Sequence, residues 1–450
     1  MMRICAICCA VWQKVEWLKI ELPDQPFRFV TENSAECSND TAFVLTAQNE
    51  RYLDDAKRWG AHSIITVEDI APLFGINRIK IIGITGTNGK TTTASAIYSL
   101  LLDLGFKAAM QGTRGFFMND TVVEGKSLTT PSVLNTYRHI YQAVVNGCSH
   151  FIMEVSSHAI AQNRIEGLPF ALKVLTNITQ DHLDYHHDLD EYIRVKNSFF
   201  KDDSKKLINR DEPRADFNFK NAYTYAAEAP ASYKIMAYSL NDGLSGALQH
   251  FEQIESFHSP LHGFFNLYNI TAAIGAVHQT TDKSLAEICE EVDNFAGVSG
   301  RMEVVSTSPL VIVDFAHTPD GIQQVLNALK EKELIVVFGA GGDRDKSKRP
   351  LMGKVAVSLA KKVFLTSDNP RNEDPDLIIK DILEGIEDQS SVIIEANRRS
   401  AIEQALKGQQ EDEVVIILGK GDESHQIIYD QKLAFDDRDV VRAFLEKEGH

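Results

Sequence analysis

The chain has 450 residues, of which 44% are hydrophobic, 24% charged and 8% aromatic. This composition is typical of folded proteins and excludes a mainly disordered, collagen-like or coiled-coil chain, and the length predicts two or three domains. Asp and Glu total 63 against 46 for Lys and Arg, giving a formal net charge of -17. That charge opposes general binding to nucleic acid or anionic lipid, so any anionic ligand needs a local basic or backbone-amide site.

The six cysteines are too few and too scattered for the disulfide framework of a secreted scaffold, so we expect a reducing, cytoplasmic location. Cys5, Cys8 and Cys9 could form half of a metal site, but no second Cys or His pair with zinc spacing follows. The apolar run Ile4–Trp12 is short and lacks a small-x-small cleavage site, so export is the minor interpretation. No later segment has the roughly 20 apolar residues of a membrane helix, and we expect no membrane insertion.

Residues 1–79 predict a small α/β unit. Short strand-like runs at Ala42–Thr46 and Ser63–Val67 lie on either side of a predicted helix at Glu50–Trp59. The pattern changes at Ile79, where we expect a second unit to begin.

A phosphate-binding loop is predicted where the apolar strand Ile79–Ile84 passes into Thr85-Gly-Thr-Asn-Gly-Lys-Thr91 and then into a helical run to about Leu104. This order places backbone amides and a helix N-terminus at a nucleotide triphosphate, with Lys90 as a point charge and Thr91 as a magnesium-bound hydroxyl. The general pattern has Gly at position 84, where this chain has Ile84, and the alternative is a glycine-rich turn.

Two further buried strands, Phe151–Val155 and Leu172–Thr176, run into polar residues at their carboxyl ends, where an open α/β sheet forms its ligand crevice. The first opens the run Glu154–His158. A carboxylate there can hold Mg²⁺, and the alternative is a helix N-cap built from serines. The second leads into the histidine-rich stretch Thr176–His187, which could equally be an ordinary surface loop.

Residues 209–258 contain short alternating stretches that predict a β-rich insertion, and helices are expected at Asn266–Val277 and Ser284–Asn294. After Gly300, five apolar strands alternate with helical segments, which predicts a βαβ series with a parallel sheet and a domain boundary near Ser299. The five strands are Leu310–Asp314, Leu334–Phe338, Val363–Thr366, Val392–Glu395 and Val414–Leu418.

Three polar clusters follow strands of this last sheet: the basic, glycine-rich Gly339–Pro350, then Ser367–Arg371, then Gly419–Glu423. Because the carboxyl ends of parallel strands meet at one edge, we expect them to converge. The first is a local positive patch in an acidic protein, with a solvated loop as the alternative. Three more stretches, each of which alone could be a cap or a turn, are Asn266–Asn269, Gly300–Glu303 and Asp314–Pro319.

Eight motifs between about Ile79 and Val440 resemble, in order and spacing, those of the Mur ligases. They are Thr85-Gly-Thr-Asn-Gly-Lys-Thr91, Glu154-Val-Ser-Ser-His158, Asp181-His-Leu-Asp-Tyr-His186, Gly300-Arg-Met-Glu303, Asp314-Phe-Ala-His-Thr-Pro319, Gly342-Asp-Arg-Asp345, Asp368-Asn-Pro-Arg371 and Gly419-Lys-Gly421. The resemblance implies an α/β protein of three domains. These are a small N-terminal UDP-binding domain at 1–79, a central P-loop ATPase domain with a parallel sheet at 80–299, and a C-terminal Rossmann-like domain for the amino acid at 300–450.

In Mur ligases ATP phosphorylates a substrate carboxylate, and an incoming amine attacks the acyl phosphate. The chemistry suits the reactants, because a carboxylate is a poor acyl donor and phosphate is a usable leaving group once metal ions neutralise it. The motifs are similar to those of the family branch that adds meso-2,6-diaminopimelate to UDP-N-acetylmuramoyl-L-alanyl-D-glutamate, in cytoplasmic peptidoglycan precursor synthesis. The resemblance implies ATP and Mg²⁺ as cofactors and small molecules, not nucleic acid, as partners.

The resemblance also implies a role for individual residues, with Lys90, His182 and Lys196 as the catalytic ones. ATP contacts are implied for Gly86, Thr87, Asn88, Gly89, Lys90, Thr91 and Thr92, with Asn269 at adenine, Arg301 at phosphate and Asp314 at ribose. Metal contacts are implied for Thr91, Glu154, His182 and Lys196, the last as a carbamyl-lysine formed with CO₂. The muramoyl substrate would contact Thr129, Thr130, Ser156, Gln162 and Arg164. Diaminopimelate would contact Arg344, Asp368, Asn369, Pro370, Arg371, Gly419 and Glu423.

The residue types of the last set predict diaminopimelate rather than L-lysine as the amine substrate. The two differ at the distal end, where diaminopimelate carries a carboxylate beside the ammonium group. Arg371 offers a planar bidentate cation for that carboxylate, and Arg344 is free for the other carboxylate. Acceptors for the ammonium come from the set Asp368, Asn369, Gly419 and Glu423. Against lysine the Arg371 fork would remain unpaired.

The chain departs from the family pattern in three places. Asp422 stands where the family has His, the usual Ser-Arg and Asp-Gly elements of the N-terminal domain are missing, and residues 1–14 match nothing in the family. Uridine contacts are therefore not assigned. The alternatives are a folylpolyglutamate-type ligase, which the Asp368–Arg371 cluster argues against, and a nucleotide-dependent switch that uses the loop only to sense ATP.

Overall fold

The computed structural model describes residues 20–21, 25–126, 128–241, 243–410 and 412–448. The N-terminal cysteines at positions 5, 8 and 9 and the apolar run Ile4–Trp12 lie outside these residues. Within them the chain forms a mixed α/β structure with sheets of four, eleven, six and two strands. No helix in this part of the chain is both long enough and apolar enough to cross a membrane.

The N-terminal unit is a four-stranded sheet in the order β1-β2-β3-β4 with two helices. The strands are β1 Ile20–Glu21, β2 Phe29–Thr31, β3 Thr41–Val44 and β4 Ser63–Ile65, and the helices are α1 Leu53–Arg58 and α2 Val67–Leu73. The predicted helix at Glu50–Trp59 begins as a 3₁₀ turn, Glu50–Tyr52, before α1. Val44 and Phe74 share one apolar core with Phe151 of the central unit, so the small sheet is anchored to it.

The central unit is an eleven-stranded sheet in the order β15-β14-β13-β12-β11-β10-β5-β9-β6-β7-β8. Its first strands are β5 Lys80–Thr85, β6 Ala108–Gly112, β7 Gly115–Met118, β8 Thr121–Glu124, β9 His150–Glu154 and β10 Phe170–Leu175. Its later strands are β11 Lys206–Asn209, β12 Ala222–Ala226, β13 Tyr233–Ser239, β14 Leu244–His250 and β15 Gln253–Ser259. Its helices are α3 Lys90–Asp103, α4 Val133–Val145, α5 Ser157–Ala161, α6 Leu189–Ser198, α7 Phe264–Thr280 and α8 Leu285–Glu290.

Strand β5 lies between β9 and β10, and all three run parallel, so their carboxyl ends meet at one edge of the sheet. The strands are buried on both faces, which explains their continuous apolar character. Helices α3 and α7 cover one face, where Ile97, Leu101 and Ile274 belong to one core. The phosphate loop is thereby set on a strand in the interior of the sheet, over a buried apolar core.

The C-terminal unit is a six-stranded sheet in the order β16-β17-β21-β18-β19-β20, parallel except for β16, followed by a hairpin. The strands are β16 Glu303–Thr307, β17 Leu310–Asp314, β18 Glu333–Phe338, β19 Lys362–Leu365, β20 Val392–Ile394, β21 Glu413–Leu418, β22 His425–Ile428 and β23 Gln431–Ala434. The helices are α9 Pro319–Ala328, α10 Lys348–Leu359, α11 Pro375–Leu383, α12 Arg398–Lys407 and α13 Asp437–Glu448.

The α/β class, the parallel central sheet and the β-rich insertion predicted from the sequence are confirmed. The five C-terminal strands lie within one or two residues of their predicted bounds. The strands β6 to β8 at one end of the central sheet, strand β16 and the hairpin β22–β23 are additional elements that the sequence patterns do not predict. The domain bounds 1–79, 80–299 and 300–450 stay a prediction.

Candidate functional site

The predicted phosphate loop connects the carboxyl end of β5 to the first residue of α3. Two of its amides are tied to one residue beyond β10: Thr87 N–H donates to the Asn177 carbonyl and Asn88 N–H to Asn177 Oδ1, both at 2.9 Å. Gly89 has φ +83°, and a Cβ there would lie 2.3 Å from Asn269 Oδ1, so glycine is required. The loop is held from two sides, and the unpaired amides of the first turn of α3 form an anion site.

Lys90 and Lys196 converge on the carbonyl of Gly86. Lys90 Nζ donates to the Gly86 and Thr87 carbonyls at 2.8 Å, and Lys196 Nζ, from α6, donates to Gly86 at 2.9 Å. Burial lowers the pKa of both amines, and it lowers that of Lys196, which also feels the charge of Lys90, well below its ordinary value. Among the described residues Lys196 forms no ion pair, and the charge of Asp181, which raises its pKa, has a smaller effect than burial and the charge of Lys90.

Thr91 and Glu154 lie side by side next to the loop. Thr91 Oγ1 donates to Glu154 Oε2 at 3.0 Å, and Thr113 N–H donates to Glu154 Oε1 at 3.0 Å. A hydroxyl and a carboxylate are ligands that Mg²⁺ accepts, so this pair fits the predicted ion. No group of three or more His, Cys, Asp and Glu side chains that could hold a metal occurs in the described part of the chain.

Asp181 is the electrostatic centre of the loop after β10. Its carboxylate is buried and lies 3.2 Å from Lys348 Nζ, 3.4 Å from His182 Nε2 and 3.8 Å from His317 Nε2. Burial alone would raise the pKa of Asp181, but the charge of Lys348 and the two imidazoles hold it well below its ordinary value. Burial lowers the pKa of His182 to about 3 and that of His317 to about 4.

A cavity of about 320 Å³ lies beside the loop, between the central and C-terminal units. The predicted nucleotide residues Asn269, Arg301 and Asp314 all line it. The Arg301 guanidinium lies 4.3 Å from the ring centre of Phe315. Both oxygens of Asp314 accept backbone N–H groups, from Met302 and Ala316, at 2.7 Å, and burial raises its pKa.

The five residues predicted for the muramoyl substrate form one hydrogen-bonded cluster with the end of β9. Thr130 Oγ1 donates to the Glu154 carbonyl at 2.8 Å and accepts from Ser156 N–H at 3.0 Å. Arg164 Nη1 donates to the Thr130 carbonyl at 3.0 Å. Gln162 Oε1 accepts from Arg164 Nε at 2.9 Å, and Thr129 Oγ1 lies 3.0 Å from Thr113 Oγ1. Gln48 Nε2 of the N-terminal unit reaches Gln162 Oε1 at 3.2 Å.

The residues predicted for diaminopimelate meet at the carboxyl ends of β18, β19 and β21. Asn369 Nδ2 donates to Glu423 Oε2 at 2.8 Å, and a Cβ on Gly419 would lie 2.5 Å from Asp368 Oδ2. Burial raises the pKa of Asp368. Arg371 lies beside Pro370 and donates through Nη1 to the Gly342 carbonyl at 2.8 Å.

Within the described residues, the other guanidinium nitrogens of Arg371 have no protein partner. Burial lowers the pKa of this guanidinium, with the charge of Arg344 adding to the effect. Two cations and two carboxylates are therefore grouped around one space.

A second cavity, also about 320 Å³, joins these clusters. Its walls include Lys90, Glu154, His182, Arg344, Arg371 and Glu423. The phosphate loop and the three C-terminal loops thus face each other across a single cleft.

Two family models match the chain. The Mur ligase middle domain matches residues 84–277, and the Mur ligase, glutamate ligase domain matches residues 300–421. The chain belongs to the Mur ligase family.

Several Mur ligases are similar to the chain over almost its whole length. A protein of Wolinella succinogenes named UDP-N-acetylmuramoyl-L-alanyl-D-glutamate--2,6-diaminopimelate ligase is 50% identical over 95% of this chain and 98% of its own length. The protein of the same name from Helicobacter pylori is 48% identical over 93% and 96%.

Solved structures agree with this family assignment. One of a ligase with that name covers 97% of this chain and 100% of its own, with a TM-score of 0.68 and 30% identity. A folylpolyglutamate synthase of Mycobacterium tuberculosis covers 78% and 91% with a TM-score of 0.65 but 18% identity, so it shows the fold alone.

Several residues of this Mur ligase site are absent from the residue sets predicted from the sequence: Asp181 and His317, which lie in two of the predicted motifs, and Lys348, Lys420 and Asp320. Lys348 lies in the predicted basic cluster, but its ion pair with Asp181 has no sequence signal. Lys420 is fully buried and donates to Asn369 Oδ1, Glu423 Oε2 and the His425 carbonyl at 3.1, 3.0 and 2.7 Å, and its place between two glycines was the only signal. Asp320 of α9 accepts from Asn88 Nδ2 at 2.8 Å, with no local signal.

Proposed function

We propose that the chain is an ATP-dependent ligase that joins meso-2,6-diaminopimelate to UDP-N-acetylmuramoyl-L-alanyl-D-glutamate in peptidoglycan precursor synthesis. The observation that carries the proposal is the single cleft in which the phosphate loop faces a cluster of two cations, Arg344 and Arg371, and two carboxylates, Asp368 and Glu423. A nucleotide sensor needs the phosphate loop but has no use for the charged cluster. The relatives at about 50% identity carry the name of this activity.

The reaction has two steps. A carboxylate oxygen of the muramoyl dipeptide attacks the γ-phosphorus of ATP, and ADP leaves. The diaminopimelate amine then attacks the acyl carbon, phosphate leaves with the electrons of the acyl–oxygen bond, and the nitrogen loses a proton. Lys90 and the amides of the loop stabilise charge on the transferring phosphoryl group, because they are fixed before the reaction begins.

The nucleotide occupies the cavity beside the phosphate loop. Asn269 contacts adenine, Asp314 the ribose and Arg301 a phosphate, in agreement with their common position on its wall. Thr91 and Glu154, with His182 in the same cleft, hold Mg²⁺, which supplies neutralisation of phosphate charge when it is bound.

The two remaining substrates bind on opposite walls of the cleft. The cluster of Thr130, Ser156 and Arg164 holds the muramoyl substrate, and the Arg371 cluster holds diaminopimelate. The free nitrogens of Arg371 form the fork for its distal carboxylate, and Glu423 and Asp368 accept from its ammonium group. Asn369 already donates to Glu423 and accepts from Lys420, so we assign it the task of fixing Glu423.

We further propose that Lys196 carries a carbamate. The neutral amine is the form that attacks CO₂, and the depressed pKa of Lys196 makes that form available. A nitrogen–carbon bond forms, one proton is released, and an anion replaces an amine near Lys90, where it could hold a second Mg²⁺.

The ligase proposal is tested by phosphate release from ATP in the presence of each substrate alone and of both together. We expect turnover only when the muramoyl dipeptide and diaminopimelate are both present, with the tripeptide product detected by mass spectrometry. Equal phosphate release without either substrate would favour the nucleotide-sensing alternative. Release with a folate and glutamate instead would favour the folylpolyglutamate-type ligase.

The carbamate is tested by ¹³C NMR of the protein equilibrated with ¹³C-labelled bicarbonate. We expect one carbamate signal that is absent from Lys196→Ala and present in Lys201→Ala, the control, because Lys201 is half-exposed and paired with Asp216. A fully active enzyme without that signal would contradict the proposed modification.

A cytoplasmic location also belongs to the proposed function, because the reaction consumes ATP and a UDP-linked precursor.

A further inference from the structure

Asp422, which stands where the family pattern has His, contacts the central unit rather than the amino-acid cluster beside it. Its Oδ2 lies 3.1 Å from Lys126 Nζ and 3.7 Å from Arg114 Nε. Lys126 Nζ also donates to the Asp422 carbonyl at 2.6 Å. One residue of the loop after β21 is thus bound, by side chain and backbone, to two cations about 300 positions earlier in the chain.

The two cations belong to loops that carry the other half of the site. Arg114 follows Thr113, whose N–H holds Glu154 and whose hydroxyl contacts Thr129. Lys126 follows β8 and precedes Thr129 in the same connection. Asp422 therefore forms its ion pairs with the side of the cleft that we assign to Mg²⁺ and the muramoyl substrate.

The Asp422 loop carries residues of the amine side. Glu423 is the next residue and binds Lys420 and Asn369. Gly300 supports the loop from below: it has φ +70°, and a Cβ there would lie 2.1 Å from Asp422 N. The backbone at Asp422 therefore packs directly on Gly300, and Glu423 follows on that supported backbone.

We infer that Asp422 is a positioning residue that draws the diaminopimelate loop against the muramoyl wall of the cleft through its ion pairs with Lys126 and Arg114. The inference rests on the proposed function for the identity of the two substrates. A neutral imidazole at this position would carry no charge to attract the two cations, whereas a carboxylate carries one. The two cationic side chains are partly exposed, 40% for Lys126 and 30% for Arg114, so salt screens the attraction.

Steady-state kinetics of Asp422→Asn test the inference, because this change removes the charge at constant size. We expect the KM for diaminopimelate and for the muramoyl substrate to rise about threefold to tenfold, with kcat and the KM for ATP within about twofold. Asp422→Glu should restore most of the loss. Asp430→Asn, the control, removes the same charge from the exposed turn between β22 and β23 and should change nothing.

Salt dependence and charge exchange separate an electrostatic role from a merely structural one. The difference between the wild type and Asp422→Asn should shrink as ionic strength rises, because salt screens the attraction in the wild type, whereas the variant has no such attraction to lose. Lys126→Glu should resemble Asp422→Asn or be worse, and Asp422→Lys combined with Lys126→Glu should recover part of the KM. The inference would be overturned if the KM increases of Asp422→Lys and Lys126→Glu simply added in the double variant. It would also be overturned if Asp422→Asn had the KM values of the wild type.

A zero-length carbodiimide cross-link gives a readout that needs no activity. The reagent activates the Asp422 carboxylate, the Lys126 amine displaces the resulting urea, and the amide is found by peptide mass spectrometry. The Lys283–Glu287 pair, 2.9 Å apart, serves as the internal positive control. Absence of the 126–422 cross-link while the control forms would refute the contact itself. A cross-link in a protein without ligase turnover would instead count against the proposed function alone.

Discussion

Replacing Arg371 separates recognition of diaminopimelate from the rest of the reaction. Its backbone is fixed by the β22–β23 hairpin: Arg371 N–H donates to the Ile427 carbonyl at 3.0 Å, and the Arg371 carbonyl accepts from Tyr429 N–H at 2.7 Å. One guanidinium nitrogen donates to the Gly342 carbonyl, and the others are available to a carboxylate. Losing a charge pair of this buried kind costs about 2 to 4 kcal/mol, so Arg371→Met should lower kcat/KM for diaminopimelate by about 30- to 1000-fold.

The matched substitution Arg371→Lys keeps the charge and loses the fork, and it should fall between Arg371→Met and the wild type. Phosphate release is measured with diaminopimelate, L-lysine and ATP varied in turn. The KM for ATP should stay within about twofold, and the preference over L-lysine should narrow in Arg371→Met. Arg442→Lys, on the exposed face of α13, is the control. An unchanged ratio of diaminopimelate to lysine use in Arg371→Met would refute the assigned role of the guanidinium.

Three further changes test the phosphate loop and the stability of the C-terminal unit. Lys90→Ala should lower kcat by at least about 100-fold with an unchanged circular dichroism spectrum, because it removes a preorganised charge at the phosphoryl group; near-normal turnover would end that assignment. The side-chain hydrogen bond from Arg349 lowers the pKa of Glu373 to about 2 from an ordinary 4.5, so its stabilising contribution is present above pH 4.5 and is lost as pH falls through 2. Between those pH values, the free energy of unfolding in urea should accordingly fall less for Glu373→Gln than for the wild type. Parallel plots of that free energy against pH for the two proteins would contradict this. Arg398→Met should cost about 3 to 5 kcal/mol in the free energy of unfolding, because it leaves Asp437, fully buried like its partner, without a cation; combining Arg398→Met with Asp437→Leu should regain much of that loss.

The parts of the fold that the sequence predicts are those whose strands are buried on both faces. Glu333–Phe338 and Glu413–Leu418 are covered by helices on either side, and such strands read as continuous apolar runs. The edge elements give no such signal. Thr121–Glu124 is largely exposed and Gln431–Ala434 fully so, and both are held by pairing with a neighbour rather than by an apolar face.

The site residues also fall into two groups, those that the sequence predicts and those that it does not. Lys90, Thr91 and Gly89 are predictable because the phosphate loop is a local backbone structure, and the order of strand, loop and helix is visible in the sequence. The contact of Lys348 with Asp181 spans 167 residues and joins two units of the fold. The strand order predicts that loops of one parallel sheet converge, but it does not predict which loops of two separate sheets face each other, so this pair, like Asp320 with Asn88, had to come from the structure.

The carbonyl of Gly86 has two donors, and this affects what happens when a nucleotide arrives. Lys90 must release the Gly86 and Thr87 carbonyls to reach a phosphate, exchanging two neutral acceptors for an anionic one. A Gly86 carbonyl without a donor would then repel the same phosphate, because both are negative. When Lys90 leaves, the Gly86 carbonyl still has the Lys196 donor at 2.9 Å, and because a carbamylated nitrogen retains one N–H, this donor is available in either chemical form. Lys196 thus reduces, at Gly86, the repulsion that the catalytic lysine would otherwise create by leaving.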